Sequence, residues 1–385
     1  MSLKAYLNKK VAACGIAALC FGYFASYVPY SMMTKMVTKG LFTGMDGTGY
    51  SGFAIQPIAV LGSFVAMYLF ITLKGWWKFA TQWKVGGISL PRPRWFTFLS
   101  GLCTAGIIVT TTLSYSFSGI SIVFAMLLMR GGVLIIAPVV DLFSRRKRKI
   151  YWPSLVASFL SVGALLVAFS GNAGTAMTTV AAIDIACYLG CYFLRLTFMS
   201  NKAKSNDIAE KRRFFTEEQM VANPVLLVAL LIVGLIGSTM SPDSMPGLIW
   251  TGFSKVPFEG FFFTVLLIGI FSYGTGLFGS LIFLDKREHT FCAPANRCSS
   301  IVSGVIATYL LAIFYGQKYP STLQIIGVAL IIGAILFLMY RAVMERRRKG
   351  AASCITCTPD TPEITEESEE ETTEGGKLLC DPLKA

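Results

Sequence analysis

A chain of 385 residues that is 54% hydrophobic and only 14% charged, with a mean hydropathy of +0.62, has too little polar surface for a water-soluble fold, because soluble chains carry roughly 25% charged residues. Its net charge of +13 does not indicate nucleic-acid binding, since the basic residues fall in short clusters between apolar runs, where they report membrane orientation. Ten cysteines are scattered, many within apolar runs and without a regular framework, and we read those as small packing residues.

The apolar runs predict ten membrane spans, near 11–33, 53–74, 94–115, 117–142, 152–170, 178–199, 222–241, 259–283, 291–315 and 320–341. About 20 residues are needed to cross a bilayer core. Each span must be helical, because an unsatisfied backbone amide in lipid costs several kcal/mol. The first run is longer than a signal-peptide core and has no obvious small-residue cleavage site, so it reads as a retained span. The connection Lys35–Gly52 is rich in glycine, and Met240–Val256 carries Pro242, Pro246 and Gly247; both read as loops. After residue 341 the chain turns basic and then acidic, and Glu363–Glu374 has the composition of a disordered tail.

A repeat runs through these spans. Arg130 precedes Pro153-Ser154 by 23 residues, and Arg297 precedes Pro320-Ser321 by the same 23. The offset of 167 also pairs Cys20 with Cys187, Pro57 with Pro224, Phe96-Thr97 with Phe263-Thr264 and Leu99 with Leu266. The chain therefore reads as a first five-helix repeat over 11–170 and a second over 178–341, between a cytoplasmic N-terminus (1–10) and a tail (342–385). Alternate connections carry 25 Lys and Arg on one side and four on the other (Lys35, Lys39, Lys255, Lys318). The positive-inside rule then places both termini in the cytoplasm. Five spans per unit is an odd number, so the second unit enters from the opposite face and the repeat is inverted. Such repeats place solute sites near the bilayer midplane, where the halves meet.

The run MLLMRGG (Met126–Gly132) with APVVD (Ala137–Asp141) and the ending YGQKYPSTLQIIGVALIIGAILFLMY (Tyr315–Tyr340) resemble the drug/metabolite transporter superfamily, in particular its EamA-like ten-span members, with some likeness to nucleotide-sugar-transporter relatives. The resemblance covers about residues 11–341. It implies a solute cavity lined by spans of both halves and alternating access. Gly316-Gln317-Lys318 departs from the Gly-Glu that many members carry there.

Ionisable residues inside spans are costly and usually functional. Arg130 lies 15 residues before Arg145, roughly 22 Å along a helix, and is deep. It either holds an anionic or zwitterionic solute, which a guanidinium suits, or forms a structural ion pair. Arg297 is its repeat partner, beside Asn296, but follows His289 by only eight residues, roughly 12 Å, within reach of the cytoplasmic surface by snorkelling. Asp184 reads as the one carboxylate well inside a span, suited either to proton coupling or to pairing with an arginine, Arg130 first. Arg195 lies near the cytoplasmic end of its span and is expected to snorkel.

Other patterns carry little. Gly274-Thr-Gly-Leu-Phe-Gly279 matches GxGxxG but lacks the preceding strand of a dinucleotide site; small residues there suit close helix approach. His289 is the only histidine, in a charged connection, and zinc needs more ligands. Cys354-Ile-Thr-Cys357 has no second pair, and Glu374 to Leu378-Leu379 fits a short dileucine sorting pattern. There is no P-loop, no cofactor motif and no clustered acid, base and nucleophile, so an enzyme is the poorest reading. The expected function is a multipass secondary transporter of a small organic solute, with the lipid bilayer and the solute as partners, no nucleic acid, and a homodimer compatible with the fold. The alternative is a membrane scaffold or receptor that does not transport.

The topology is checked by accessibility. In a background without native cysteines, a membrane-impermeant thiol reagent should label a cysteine placed in the Lys35–Gly52 loop and miss Lys147→Cys. The opposite pattern would invert the assignment.

Overall fold

A computed structural model describes residues 15–42, 45, 47–85, 88–113, 122–144, 151–169, 179–204, 207–317, 325–327, 329–330, 332–338, 340 and 344. The tail, with its CxxC and dileucine patterns, lies outside the described residues apart from Met344, and so does the side chain of Arg130. The chain divides at Ala342, and everything below concerns the unit that ends there.

The described helices are α1 (Ile16–Thr38), α2 (Gly52–Lys74), α3 (Trp95–Leu113), α4 (Ile122–Phe143), α5 (Trp152–Phe169), α6 (Thr179–Phe198), α7 (Ile208–Gly237), α8 (Met245–Ser254), α9 (Phe262–Phe283) and α10 (His289–Tyr315). A 3-10 turn, Trp76–Phe79, and an antiparallel hairpin, β1 (Gln82–Val85) with β2 (Ile88–Pro91), join α2 to α3. A π-helical turn, Met199–Ala203, extends α6. Among the described residues six helices are long and apolar enough to cross a membrane: Ile16–Thr38, Gly52–Lys74, Ala182–Ala203, Ile208–Gly237, Phe262–Phe283 and His289–Tyr315. Shorter apolar helices cover Trp95–Thr111, Gly131–Phe143, Trp152–Gly163 and Ile325–Leu338. This is the make-up of a multipass, helical integral membrane protein.

Helix ends follow local chemistry. The Ser51 hydroxyl accepts from the Phe53 amide (3.3 Å) at the start of α2, and Gly75, at φ +62°, ends it in the left-handed region that only glycine adopts freely. The connection read from sequence as a Pro- and Gly-bearing loop holds α8, because Ser244 caps the Gly247 amide (3.2 Å) and Pro246 sits in the first turn. The span expected to begin at residue 222 begins instead at Ile208, where the Asp207 carboxylate accepts from the Ala209 amide (2.8 Å). The helix therefore runs through the charged stretch EKRRFFTEEQ before reaching the apolar one.

Packing pairs the helices in a recurring way. α1 packs on α9 and α6 on α3; α2 packs on α9 and α7 on α3; α1 packs on α10 and α6 on α4. Exchanging helices that lie 167 residues apart in sequence turns the first member of each pair into the second. Close crossings rest on glycine. A Cβ on Gly269 would lie 2.0 Å from the Ala59 carbonyl oxygen, and one on Gly62 2.3 Å from that of Leu266, so α2 and α9 meet backbone to backbone. Ser63 fixes the crossing by donating to the Gly269 carbonyl (2.8 Å). At the α3–α7 crossing Gly101 has the same role, with the Glu218 carbonyl oxygen 2.9 Å from its missing Cβ. Gly274 and Gly279 of the GxGxxG match lie mid-helix in α9, against Ser26 and Asn296, which is close helix approach and no phosphate loop.

Polar contacts fasten the ends. At one end the Tyr50 hydroxyl donates to Glu259 (2.7 Å), and that carboxylate pushes the phenol up to about 12. At the other, Glu217 accepts from the Thr81 amide and hydroxyl (3.1 and 2.8 Å), the Thr97 hydroxyl (2.7 Å) and Arg94 Nε (3.0 Å). Tyr50 and Glu217 are 167 positions apart. Asp141, at the end of α4, accepts from the His289 and Thr290 amides (2.9 and 2.7 Å) and the Thr290 hydroxyl (2.8 Å), capping α10. His289 is not in an open charged loop but fully buried, its Nε2 3.1 Å from the Leu196 carbonyl oxygen.

Gly269→Val forces a side chain into the Ala59 backbone and should cost about 3 kcal/mol, the upper end of ordinary overpacking, or prevent folding. Gly276→Ala, whose Cβ meets nothing within 4 Å, should leave the melting temperature unchanged or slightly raised. Thermal unfolding in detergent compares the two.

Candidate functional site

Two buried arginines stand at the helix crossings, and their surroundings differ. Arg195, on α6, is 6% exposed. Its Nε and Nη2 meet the two oxygens of Glu218 on α7 (2.8 and 3.1 Å), and Nη2 also donates to the Ser280 hydroxyl on α9 (2.9 Å). Glu218 Oε1 accepts further from Ser100 (2.7 Å) and Thr104 (3.1 Å) on α3. The pair is bidentate and supported by hydroxyls from two more helices, which is what a buried charge needs if it is to remain ionised. The snorkelling expected of Arg195 is therefore wrong. A long apolar helix gives no hint that a carboxylate from another helix waits opposite. The expectation that Asp184 is the one carboxylate well inside a span is also corrected, since Glu217 and Glu218 lie buried within the long helix Ile208–Gly237.

Arg297, on α10, is 7% exposed and does not reach the surface by snorkelling. Its guanidinium carbon lies 5.4 Å from the Tyr192 ring centroid, a cation–π contact. Tyr188 and Tyr23 are the other phenols whose field reaches it. Tyr188 and Tyr192 pack ring to ring at 4.9 Å on α6, and Tyr23 stacks on Tyr27 at 5.7 Å on α1. Among the described residues neither Nε nor Nη2 of Arg297 has a hydrogen-bond partner. Asn296 is 3% exposed, and its amide nitrogen and the Tyr23 ring occupy the space left by the missing side chain of Gly279. The structure thus brings Arg297 and Asn296 into one buried, aromatic-walled place.

Asp184 is 4% exposed, and among the described residues neither of its oxygens has a hydrogen-bond partner and no ion pair includes it. It lies four and eight positions before Tyr188 and Tyr192, on the same face of α6, but roughly 12 Å along the axis from Tyr192. The helix face that presents the tyrosines to Arg297 also carries the acid, one to two turns away. Tyr273 on α9 is a third buried polar group whose oxygen has no hydrogen-bond partner among the described residues. Buried polar atoms without partners are uncommon in native interiors, and each calls for an explanation.

The sequence reading missed Glu218 and the tyrosine wall. Glu217-Glu218 fell in a stretch read as a connection. The cap at Asp207 and the lack of Gly or Pro from there to Pro224 were the signals of one continuous helix. Tyr188 and Tyr192 share the spacing of Asp184 on one helical face, a signal that was legible but common among core aromatics.

Breaking the Arg195–Glu218 pair on one side should cost about 3–5 kcal/mol, because the remaining charge is left buried. Arg195→Met and Glu218→Leu should each lower the melting temperature sharply, and the two together should recover most of the loss. A double-mutant cycle by thermal unfolding measures the coupling.

No family model and no curated protein matches the sequence. Among solved structures, one described only as "Crystal structure of protein" has a TM-score of 0.52 over 86% of this chain and 98% of that chain, at 12% identity. At that identity the likeness is one of fold alone.

Proposed function

We propose that this protein is a secondary transporter of a small anionic or zwitterionic organic solute, built as ten spans in two inverted five-helix halves that alternate access around a site at Arg297. The observation that carries the reading is the buried Arg297 guanidinium, whose Nε and Nη2 have no hydrogen-bond partner among the described residues. A cation in that setting costs at least about 2.5 kcal/mol on insertion scales. Packing alone would be met by Leu or Met without that cost. An anionic solute group supplies what the site lacks: two acceptor oxygens for the fork of a guanidinium. Tyr23, Tyr188 and Tyr192 wall the space, and Asn296 offers a neutral donor and acceptor beside it. Asp184, further along the same face of α6, is the group that answers a solute ammonium or carries a coupled proton. Arg130, at the position equivalent to Arg297 in the first repeat, is assigned the same role from the other half.

The inverted arrangement is supported by the helix pairings that recur when equivalent helices are exchanged, and by the end contacts of Tyr50 and Glu217, one repeat apart. The charge asymmetry of the connections supports cytoplasmic termini. The resemblance to the drug/metabolite transporter superfamily fits the same machine, and with no P-loop in the sequence the energy comes from a gradient or from exchange.

Reconstituted protein should exchange a labelled solute identified by a thermal-shift screen of metabolites, because a ligand that binds only the folded state stabilises it. Arg297→Gln should abolish flux per folded molecule while the protein still reaches the membrane. Arg297→Lys should restore only part, since a point charge makes no bidentate contact. Unaltered flux per folded molecule in Arg297→Gln would remove the residue from the solute site.

A further inference from the structure

The connection between α2 and α3 holds a feature that transport does not use. Residues 72–95 contain five basic residues, no acidic one, and four of the six tryptophans of the chain, Trp76, Trp77, Trp83 and Trp95. Tryptophan beside Lys and Arg is the signature of a membrane interface. Arg94 is taken up by Glu210 and Glu217, which leaves Lys74, Lys78, Lys84 and Arg92 outside any ion pair among the described residues.

The hairpin sorts these residues by face. Its register sets Gln82 opposite Pro91, Trp83 opposite Leu90, and Lys84 opposite Ser89. Side chains alternate along a strand, so Gln82, Lys84, Ser89 and Pro91 share one face, and Trp83 and Leu90 the other. Trp83 and Leu90 are both more than half exposed. The polar face closes a groove of about 600 Å³ lined by Tyr68, Trp77, Lys78, Gln82, Ser89 and Pro91. Tyr68 belongs to the membrane-crossing helix α2, where it lies beside the exposed Leu69 and, one turn on, Leu73. The groove thus opens where a span leaves the apolar core, with a lysine on its wall, a second lysine on the same hairpin face, and on the reverse the exposed Leu90 and Trp83, whose ring carries the Arg92 guanidinium at 5.5 Å.

We propose that this groove binds the headgroup of an anionic phospholipid from the leaflet that the basic connections face. The phosphate sits between Lys78 and Lys84 with Ser89 as hydroxyl donor. Trp83 and Leu90 enter the boundary between headgroups and acyl chains, and the acyl chains lie along Leu69 and Leu73 of α2. Charge complementarity selects an anionic lipid over a zwitterionic one, and the apolar reverse face selects a lipid over a free phosphate. The inference rests on the membrane reading of the helices and does not depend on transport.

Native mass spectrometry of the full-length protein tests it, comparing retained phosphatidylglycerol with phosphatidylcholine of the same acyl chains. Phosphatidylglycerol should be retained preferentially. Lys78→Gln and Lys84→Gln should each weaken retention by about fivefold, while Lys78→Arg keeps it. Ser89→Trp, which fills the groove and leaves every charge in place, should also release the lipid. Lys255→Gln, on another connection, should behave as wild type, and thermal unfolding verifies that each variant is folded. Equal retention of the two lipids, unchanged retention in folded Ser89→Trp, or an equal loss in Lys255→Gln would overturn the proposal. Displacement of the lipid by soluble glycerol phosphate would also overturn it, and would mark the groove as a site for a free anion.

Discussion

The ion pair between Arg195 and Glu218 is the constraint on which the helix packing turns. Both groups are removed from water, a step that costs several kcal/mol per ion unless the partner geometry is good and the remaining lone pairs are met. Here they are met by Ser100, Thr104 and Ser280, so helices α3, α6, α7 and α9 must all be in place for the pair to be fully satisfied. The residue before it, Glu217, binds Arg94 and Thr97 at the start of α3 and Thr81 just before the hairpin. Two successive glutamates on α7 thus hold one neighbouring helix at two levels. Close approach at Gly101 makes this possible, because a side chain there would meet Val221 and the Glu218 carbonyl.

Against that background the two buried arginines on α6 and α10 separate by chemistry. Arg195 has its bidentate carboxylate and a hydroxyl, and its role is to fix helices. Arg297 has a tyrosine face and, among the described residues, no acceptor for Nε and Nη2. A cation held against a tyrosine is partly compensated, while its Nε and Nη2 keep donor capacity that no described residue uses. The same contrast holds for the acids: Asp141 caps a helix with three bonds, whereas Asp184 makes none among the described residues.

The fastenings at the two ends also differ in kind. One end carries the Tyr50–Glu259 bond and two bonds between the ends of α1 and α10, Lys35 Nζ donating to the Thr308 hydroxyl (3.0 Å) and Lys39 Nζ to Gln317 Oε1 (2.7 Å). The other carries the Glu217 network, the Asp141 cap on α10, and Lys204 donating to the Arg287 carbonyl (2.6 Å) from a nearly fully buried position. Both ends use charge-assisted bonds, but among the described residues the basic end centres them on buried carboxylates that each accept several bonds.

The sequence alone determined the class of protein and the places of the long apolar helices, though not the start of α7 nor the existence of α8, because an apolar run follows from local quantities. Bilayer thickness sets the length of an apolar run, and the cost of an unbonded amide makes it helical. It also shows matches at an offset of 167 residues, among them Arg, Pro and Cys, which are distinctive where Leu and Val are not. It singled out Arg297, Asn296 and Asp184 because charge or amide in an apolar run is rare. What it did not decide was the partner of each charge. Arg195 and Arg297 look alike within their helices, and only the arrival of Glu218 from α7 and of Tyr192 from α6 gave one a bidentate carboxylate and the other a ring face that leaves Nε and Nη2 without an acceptor among the described residues. The charged stretch before Asn223 read as a loop because composition was averaged over it; in the fold its buried face, Phe214, Phe215, Glu217 and Glu218, meets neighbours that compensate the charge. Helix positions are written in composition and period, but the pairing of buried charges depends on which helices cross, and that is a property of tertiary structure.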